Sequence, residues 1–455
     1  MTGSQWVEWI LNGYNYFLYA VLLALLILIL LAWYYIAYFF NSLKRDNILP
    51  RSNKKYKYAI LIPARNEDKV ICNLLDSLKN QSYPKELFDV YIIVESKLDP
   101  TVKIARKYGY NVIIRKDLVG KRTKGYALDE AYQYIKEKGL EYDSFFVIDA
   151  DNVLSKHYIN LMNDCKNQGY KVGMGYRNFT NSNKNWISAC SATLFAFMNQ
   201  YTSKGRSKLF KKINLTGTGY YVDKDIIDNI GSWIFNGMTE DVELTCYCYY
   251  HNIPMNYYPI AQYFDEQPTD FKTVHKQHIR WVWGYFENRK RFKNKNPDYK
   301  ALENGKYKTS IFEYNVSIYP LIVMVVLLLL AFLLSFSFFI ASLFMMIPYK
   351  EFATQLVPLT TFYYCIIYFL LLDIPFVVVA MIVFIISNRY LKFNFKTRLK
   401  VYFTFLFFFA DFVLAFFDGL FHKYKRTSWD KIPHDGKITS KDALRGLNDS
   451  KNKKQ

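Results

Sequence analysis

Acidic residues recur in this chain where a polar loop interrupts an apolar run. Asp149-Ala150-Asp151 directly follows Phe145-Phe146-Val147-Ile148. Carboxylates two apart at a strand end project to one side. Their hard oxygens suit a Mg2+ or Mn2+ ion that shares its remaining positions with diphosphate oxygens. A solvated turn uses the same residues, and the place after a buried strand favours the ligand reading. Thr239-Glu240-Asp241 offers a carboxylate to take a proton from an attacking hydroxyl. The same residues also suit the cap of a helix expected over Val242–Tyr250. Gly217-Thr218-Gly219 forms a small polar turn between the two acidic sites. Gln277-x-x-Arg280-Trp281 lies in a stretch of helical period, Phe271–Phe292, and its three named residues share a face. A guanidinium grips a diphosphate in bidentate fashion, and an indole gives a sugar ring a flat platform. A helix lying at a membrane interface has a similar Trp and Arg content.

The frame that would gather these residues is an alternation of β-rich and amphipathic runs from Tyr58 to about Tyr263. Strands are expected at Tyr58–Ile62, Asp89–Val94, Asn111–Ile114 and Ser144–Ile148, and helices at Asp68–Asn80, Pro100–Tyr108 and Thr123–Lys138. This βαβ order predicts a mainly parallel sheet with helices on both faces. In such sheets ligands bind beyond the carboxyl ends of the strands. Those ends carry Ala64-Arg65-Asn66-Glu67, the Glu95–Asp99 turn and the Asp149–Asp151 pair.

The 455 residues include 59 Lys and Arg against 39 Asp and Glu, a net charge of +20, and 51% are apolar. That apolar share excludes a mostly disordered chain. The charge is concentrated. Lys44–Lys57, Lys272–Lys308, Ser387–Lys400 and His422–Gln455 carry +5, +8, +5 and +6, leaving the rest slightly acidic. Each lies beside a long uncharged run, which is the positive-inside pattern of a membrane protein and not the basic face of a nucleic-acid binder. Tyr16–Phe40, Tyr314–Tyr349 and Phe352–Asn388 are expected to span. A spanning Val401–Phe421 would put the basic tail outside, so that run, with Asp411 and Asp418, is read as interfacial or re-entrant. Cysteines fall in the expected cytosolic region or in a membrane helix, without zinc spacing, and are read as reduced thiols.

The series Ile62-Pro63-Ala64-Arg65-Asn66-Glu67, Glu95-x3-Asp99, Lys124-Gly125-x-Ala127-Leu128, Asp149-x-Asp151, Gly217-Thr218-Gly219, Thr239-Glu240-Asp241 and Gln277-x-x-Arg280-Trp281 resembles membrane-integrated processive family 2 glycosyltransferases. These are the synthases of cellulose and other β-glucans, poly-N-acetylglucosamine, chitin and hyaluronan. The resemblance covers about Tyr58 to Gly284. It implies a cytosolic α/β GT-A domain, Rossmann-like, inserted between transmembrane and interfacial helices, with a UDP-sugar donor and Mg2+ or Mn2+. By the family pattern Asp149 contacts the nucleotide and Asp151 ligates the metal. Ala64, Glu67, Glu95 and Lys124 join the nucleotide contacts, with Glu95 standing where the family usually has Asp. Asp241, flanked by Thr239 and Glu240, becomes the base. Arg280 holds the diphosphate, and Gln277, Trp281, Gly217 and Thr218 meet the acceptor. Lys425-Arg426-Thr427-Ser428-Trp429-x-Lys431 resembles the gating segment that closes over the nucleotide, adding Lys425, Arg426 and Trp429 to its contacts.

The expected organisation is a transmembrane helix at 1–43, a catalytic domain at 44–270, amphipathic interface helices at 271–310, transmembrane or interface helices at 311–421 and a cytosolic tail at 422–455. The expected activity is inverting, processive polymerisation of glucose from UDP-glucose into cellulose or a mixed β-1,3/1,4-glucan, with export of the product. Alternatives are a poly-N-acetylglucosamine-type synthase using UDP-N-acetylglucosamine, or a non-processive transferase acting on a lipid. Expected partners are the growing β-glycan, the lipid bilayer and accessory subunits or further copies of the chain, with no nucleic acid. The expected location is the plasma membrane, multi-pass.

Overall fold

The computed structural model describes residues 33–46, 48–293, 357–388 and 390–421, with scattered positions between 8 and 30 and between 329 and 343. The expected span at Tyr314–Tyr349 therefore lies largely outside the described residues, and that at Tyr16–Phe40 is described in part. The gating segment with Lys425, Arg426 and Trp429 lies wholly outside them.

Eight strands build one sheet: β1 (Tyr58–Pro63), β2 (Phe88–Val94), β3 (Asn111–Ile114), β4 (Ser144–Val147), β5 (Val153–Leu154), β6 (Val172–Phe179), β7 (Tyr220–Asp223) and β8 (Met255–Asp265). Their order is β3-β2-β1-β4-β7-β6-β8-β5. Helices α1 (Trp33–Leu43), α2 (Ile71–Lys79), α3 (Pro100–Lys107), α4 (Lys124–Glu137), α5 (Tyr158–Asn167) and α6 (Trp186–Ala196) come first. They are followed by α7 (Lys204–Phe210), α8 (Lys224–Ile230), α9 (Glu240–Tyr250), α10 (Phe271–Lys293), α11 (Val357–Ile386) and α12 (Phe395–Phe421).

The βαβ expectation holds for half of this sheet. β3, β2, β1 and β4 are parallel. Beyond β4 the sheet is mixed, because β7 is antiparallel to both β4 and β6 while β8 runs parallel to β6. The mainly parallel sheet is thus corrected, and the cause lies in the connections. A helix crosses the sheet face between β1 and β2 and between β2 and β3. Between β6 and β7 the chain instead makes a helical excursion through α6 and α7 and re-enters at the end it left.

Every residue of β1 and β4 is buried, as expected of strands covered on both faces. Ala59, Leu61, Phe145 and Val147 pack under Leu128, Ala131 and Tyr132 of α4. Tyr58, Ile60, Ile62 and Phe146 pack on the other side against Leu74 and Leu75 of α2 and Val102 of α3. A third apolar cluster joins α6, α10, α11 and α12 through Phe195, Val274, Phe376, Val383, Phe405 and Phe408. Within it α12 starts at Phe395, ahead of the apolar run expected from Val401.

Among the described residues, Phe362–Ile386 and Phe395–Phe421 are long and apolar enough to cross a bilayer. Ile374, Val378, Met381 and Ile385 on α11, and Phe403, Phe407, Leu414 and Phe417 on α12, are exposed.

Candidate active site

The Asp149–Asp151 pair sits in a turn just past β4, closed by the Asn152 N–H donating to the Asp149 carbonyl at 3.1 Å. The pair therefore does not take its direction from strand alternation, and a brace beneath it does that work. The Thr218 hydroxyl accepts from the Asp149 N–H (2.8 Å) and donates to Asn152 Oδ1 (2.6 Å). Asn152 Nδ2 donates to Asp151 Oδ1 at 3.1 Å and to Asp265 Oδ1 at 3.2 Å.

The flanking glycines are demanded by geometry. Gly217 and Gly219 have φ of +88° and +65°, and a Cβ on Gly219 would lie 2.1 Å from the Tyr263 ring. Thr218 is wholly buried and its carbonyl takes the Tyr263 hydroxyl at 3.0 Å. The acceptor contact expected of Thr218 is therefore corrected: its hydroxyl is used twice underneath the site. Gly217 stays at the site, where a Cβ would sit 3.8 Å from Asp241 Oδ2.

Lys124, at the start of α4, joins the two acidic motifs. Its Nζ lies 2.5 Å from Asp149 Oδ1, donates to the Gly217 carbonyl at 2.6 Å and stands 3.6 Å from Glu240 Oε1. Gly125 lets this helix start approach so closely, since a Cβ there would lie 1.9 Å from the Phe235 carbonyl oxygen. Burial works against the ammonium charge, but Asp149 and Glu240 outweigh it, and the Lys124 pKa is raised. Lys124 thus serves as an internal tie in this structure, beside the phosphate contact that sequence suggests for it.

Burial pushes the Glu240 carboxyl up to about 7, with the charge of Asp241 adding to the effect and Lys124 and Arg280 opposing it. Burial also raises Asp241, against the Val242 N–H, Lys124 and Arg280. A carboxyl raised in this way is a stronger base once ionised, which is what proton removal from a sugar hydroxyl requires. The capping alternative fails for Thr239, whose side chain makes no capping bond to α9. It accepts instead from Asn288 Nδ2 of α10 at 3.0 Å.

α10 packs against the Thr239 loop. Gln277, Arg280 and Trp281 are half-buried on it, and Arg280 is near enough to lower both Glu240 and Asp241. Trp281 stands edge-on to Phe195 at 5.7 Å. Phe195 in turn carries the Arg177 guanidinium 3.9 Å from its ring centre. A Cβ on Gly284 would lie 2.6 Å from Thr239 Cγ2, so the helix touches the Thr239 loop directly. Arg291 fastens the same joint, reaching Glu243 at 2.6 Å and Glu287 at 3.0 Å.

Ala64, Glu67 and Glu95 sit at the neighbouring strand ends. The Ala64 N–H donates to the Ile93 carbonyl, the Glu67 N–H donates to Thr101 Oγ1, and Glu95 pairs with Arg65 at 3.5 Å.

Sequence reading missed Asn152, Arg177, Asp265, Gly284 and Asn288. Asn152 adjoins the acidic pair and Gly284 lies one turn beyond Trp281, so helical spacing could have found the latter. Arg177 and Asp265 lie in strands and meet only through the β6–β8 pairing, where Asp265 accepts from Arg177 Nε at 2.8 Å. Neither carries a local signal.

Asp149 and Asp151 fit a divalent cation by donor type. Among the described residues no three His, Cys, Asp or Glu side chains form a metal cluster. A Mg2+-like ion held by one or two carboxylates and completed by substrate phosphates is the arrangement these residues suit.

Residues 55–284 match the family model described as glycosyltransferase like family 2. A probable glycosyltransferase of Bacillus subtilis, YdaM, is 30% identical over 245 residues, 50% of this chain and 55% of that protein. The β-monoglucosyldiacylglycerol synthase of a Nostoc species is 25% identical over 239 residues, 50% of this chain and 49% of that protein. The poly-β-1,6-N-acetyl-D-glucosamine synthase of Staphylococcus epidermidis is 26% identical over 263 residues, 55% of this chain and 61% of that protein. The chain spans about half the length of the curated relatives it matches first.

Proposed function

The chain belongs to the glycosyltransferase-like family 2, with the GT-A-like fold of that family, and on that premise we propose that it is an inverting, processive β-glycan synthase working at a membrane. The donor is a UDP-sugar, UDP-glucose in the leading reading, and the product is a cellulose-like or mixed β-1,3/1,4-glucan. One observation carries this reading: Lys124 ties Asp149 to Glu240, the neighbour of the base candidate Asp241, so the two acidic motifs meet at one lysine.

In the proposed reaction Asp241 takes the proton of an acceptor hydroxyl as that oxygen bonds to the anomeric carbon. The bond from that carbon to the diphosphate breaks on the opposite face, turning an α-linked donor into a β-linked product. Arg280 receives the charge that develops on the leaving diphosphate. A Mg2+ or Mn2+ ion held by Asp151, with Asp149 beside it, would neutralise further phosphate charge when bound. Gln277 and Trp281 orient the terminal sugar of the chain. The Lys and Arg runs that flank the apolar helices support a cytosolic catalytic domain.

A lipid acceptor is the second reading. It is favoured by the similarity to a β-monoglucosyldiacylglycerol synthase and by the apolar helices that adjoin the site. Full-length protein in vesicles, given labelled UDP-glucose or UDP-N-acetylglucosamine with Mg2+ or Mn2+, separates these. High-mass product cleaved by β-glucanase is expected. A product that extracts into organic solvent overturns the polymerase reading in favour of the lipid one, and high-mass polymer still formed by Asp241→Asn removes Asp241 from the base role.

A further inference from the structure

α10 is held from two sides, and the second side lies outside the reaction described above. On the face turned to α12, two imidazoles meet one carboxylate. Asp411 is wholly buried; its Oδ1 lies 2.6 Å from His275 Nδ1 and its Oδ2 lies 2.6 Å from His278 Nδ1. An ionised carboxylate has only acceptors, so both imidazoles donate Nδ1–H to it. His275 Nε2 also reaches Asp418 Oδ2 at 3.2 Å. Burial opposes a charge on His275, but the two carboxylates prevail and raise its pKa. The buried charge of Asp411 is thereby compensated where water does not reach it.

The packing around this clamp is close. Asp411, Ala415, Asp418 and Gly419 recur at helical spacing on one face of α12. A Cβ on Gly419 would lie 1.7 Å from Trp283 Nε1, so the helices approach at that point as only glycine permits. The His278 ring is stacked on Phe412 at 3.8 Å and lies 5.4 Å from Trp281, which itself stacks on Phe412 at 6.3 Å. His275 and His278 are three residues apart, as are His278 and Trp281, so fixing the histidines fixes the roll of α10 at the residue meant to carry the sugar.

We propose that Asp411 is a positioning residue for the acceptor: it holds His275 and His278, sets the roll of α10 at Trp281, and so places the Trp281 ring. The proposal rests on the transferase reading for its kinetic consequence alone. A hydrogen-bonded pair of imidazoles on one carboxylate sets direction as well as distance, which apolar packing between two helices does not. The far half of α10 is held independently by Gly284 and Asn288 on Thr239. Loss of the Asp411 clamp is therefore felt at Trp281 first and at the donor pocket least.

The test uses the full chain in vesicles and compares wild type, Asp411→Leu and His278→Gln, each with and without Trp281→Phe. The difference in tryptophan emission between each pair isolates Trp281. Kinetics with the donor that the wild type accepts give KM for acceptor and donor separately. Expected results are a shifted Trp281 emission in both variants and an acceptor KM raised roughly ten- to hundredfold. The donor KM and the rate of donor hydrolysis to water should stay within about twofold of wild type. His278→Gln in the Asp411→Leu background should add nothing further. Unchanged Trp281 emission and acceptor KM in a folded variant overturns the proposal, as does an equal loss in the donor and acceptor parameters. If Asp411→Leu fails to fold, His278→Gln alone decides by the same readouts. A wild type that turns over no nucleotide sugar sinks the transferase reading, whereas the emission shift still tests the clamp.

Discussion

Replacing Lys124 with Met separates a lysine that ties the interior from one that only meets the nucleotide. Met keeps the length and apolar stem and removes the ammonium. In the structure this takes away the 2.5 Å contact to Asp149, the bond to the Gly217 carbonyl and the foremost counter-charge of Glu240. Removing one partner of a buried pair costs about 3–5 kcal/mol. Two features lower that figure here. The Asp149 side chain keeps 32% of its exposure and is partly solvated, and Glu240 can take up a proton. The expected loss is about 2–3 kcal/mol, which corresponds to a fall in Tm of roughly 5–10 °C for a domain of this size. The turn keeps its Thr218–Asn152 brace, but the Asp149 carboxylate loses the partner that holds it, and kcat/KM for the donor should fall about 10²- to 10³-fold. Thermal unfolding and donor kinetics on the purified full chain measure both. A higher donor KM with Tm unchanged would show that Lys124 meets the nucleotide and ties nothing, refuting the reasoning, and so would a variant with wild-type values of both.

Two further outcomes are expected. Gly284→Ala puts a Cβ 2.6 Å from Thr239 Cγ2, so α10 or Thr239 must give way by about 1 Å; acceptor transfer should drop roughly ten- to hundredfold with donor hydrolysis retained, and equal retention of both would show that the joint yields freely. The fold holds the Glu240 proton to about 7 against an ordinary 4.5, so the stability linked to that proton is fully present below 4.5 and is lost as pH rises through 7. The unfolding free energy of wild type relative to Glu240→Gln should therefore decline between pH 5 and 8, by a margin on the order of 1–3 kcal/mol, and a constant difference would mean that Glu240 titrates normally.

Much of the candidate site was legible because its residues lie close together in sequence. Asp149 and Asp151 follow an apolar strand, Thr239–Asp241 begin a helix, and Gln277, Arg280 and Trp281 fall on one helical face. Short-range spacing reports each of these without knowledge of the fold. The parallel half of the sheet was legible for a related reason, since each βαβ unit repeats the same alternation of periods. What failed needed long-range pairing. The reversal after β6 depends on where α6 and α7 deliver the chain, and no period in the sequence records that. The family resemblance made Thr218 an acceptor contact, yet its hydroxyl fits between the Asp149 N–H and Asn152, residues distant in sequence. Asp411 counted in the sequence only toward an interfacial reading of its run, and only the packing of α12 on α10 shows the two histidines that hydrogen-bond it.

These long-range ties have a common sense when followed along α10. On its catalytic side the helix touches Thr239 through Gly284 and Asn288, next to the carboxyls that Lys124 connects to Asp149. On its other side it meets α12 through His275, His278 and Trp283. A helix touching both has little freedom to move with one and not the other, because packed interfaces resist continuous sliding. If α12 lies in the bilayer, as its length and composition allow, the membrane fixes the height of α10 and with it of Trp281, which stacks on Phe412 of α12. An acceptor emerging along α12 would then meet the base at a set depth, with its terminal hydroxyl rather than an interior one. On the proposed polymerase reading, chain extension at one end demands that selectivity, and the residues already joining the two helices would supply it.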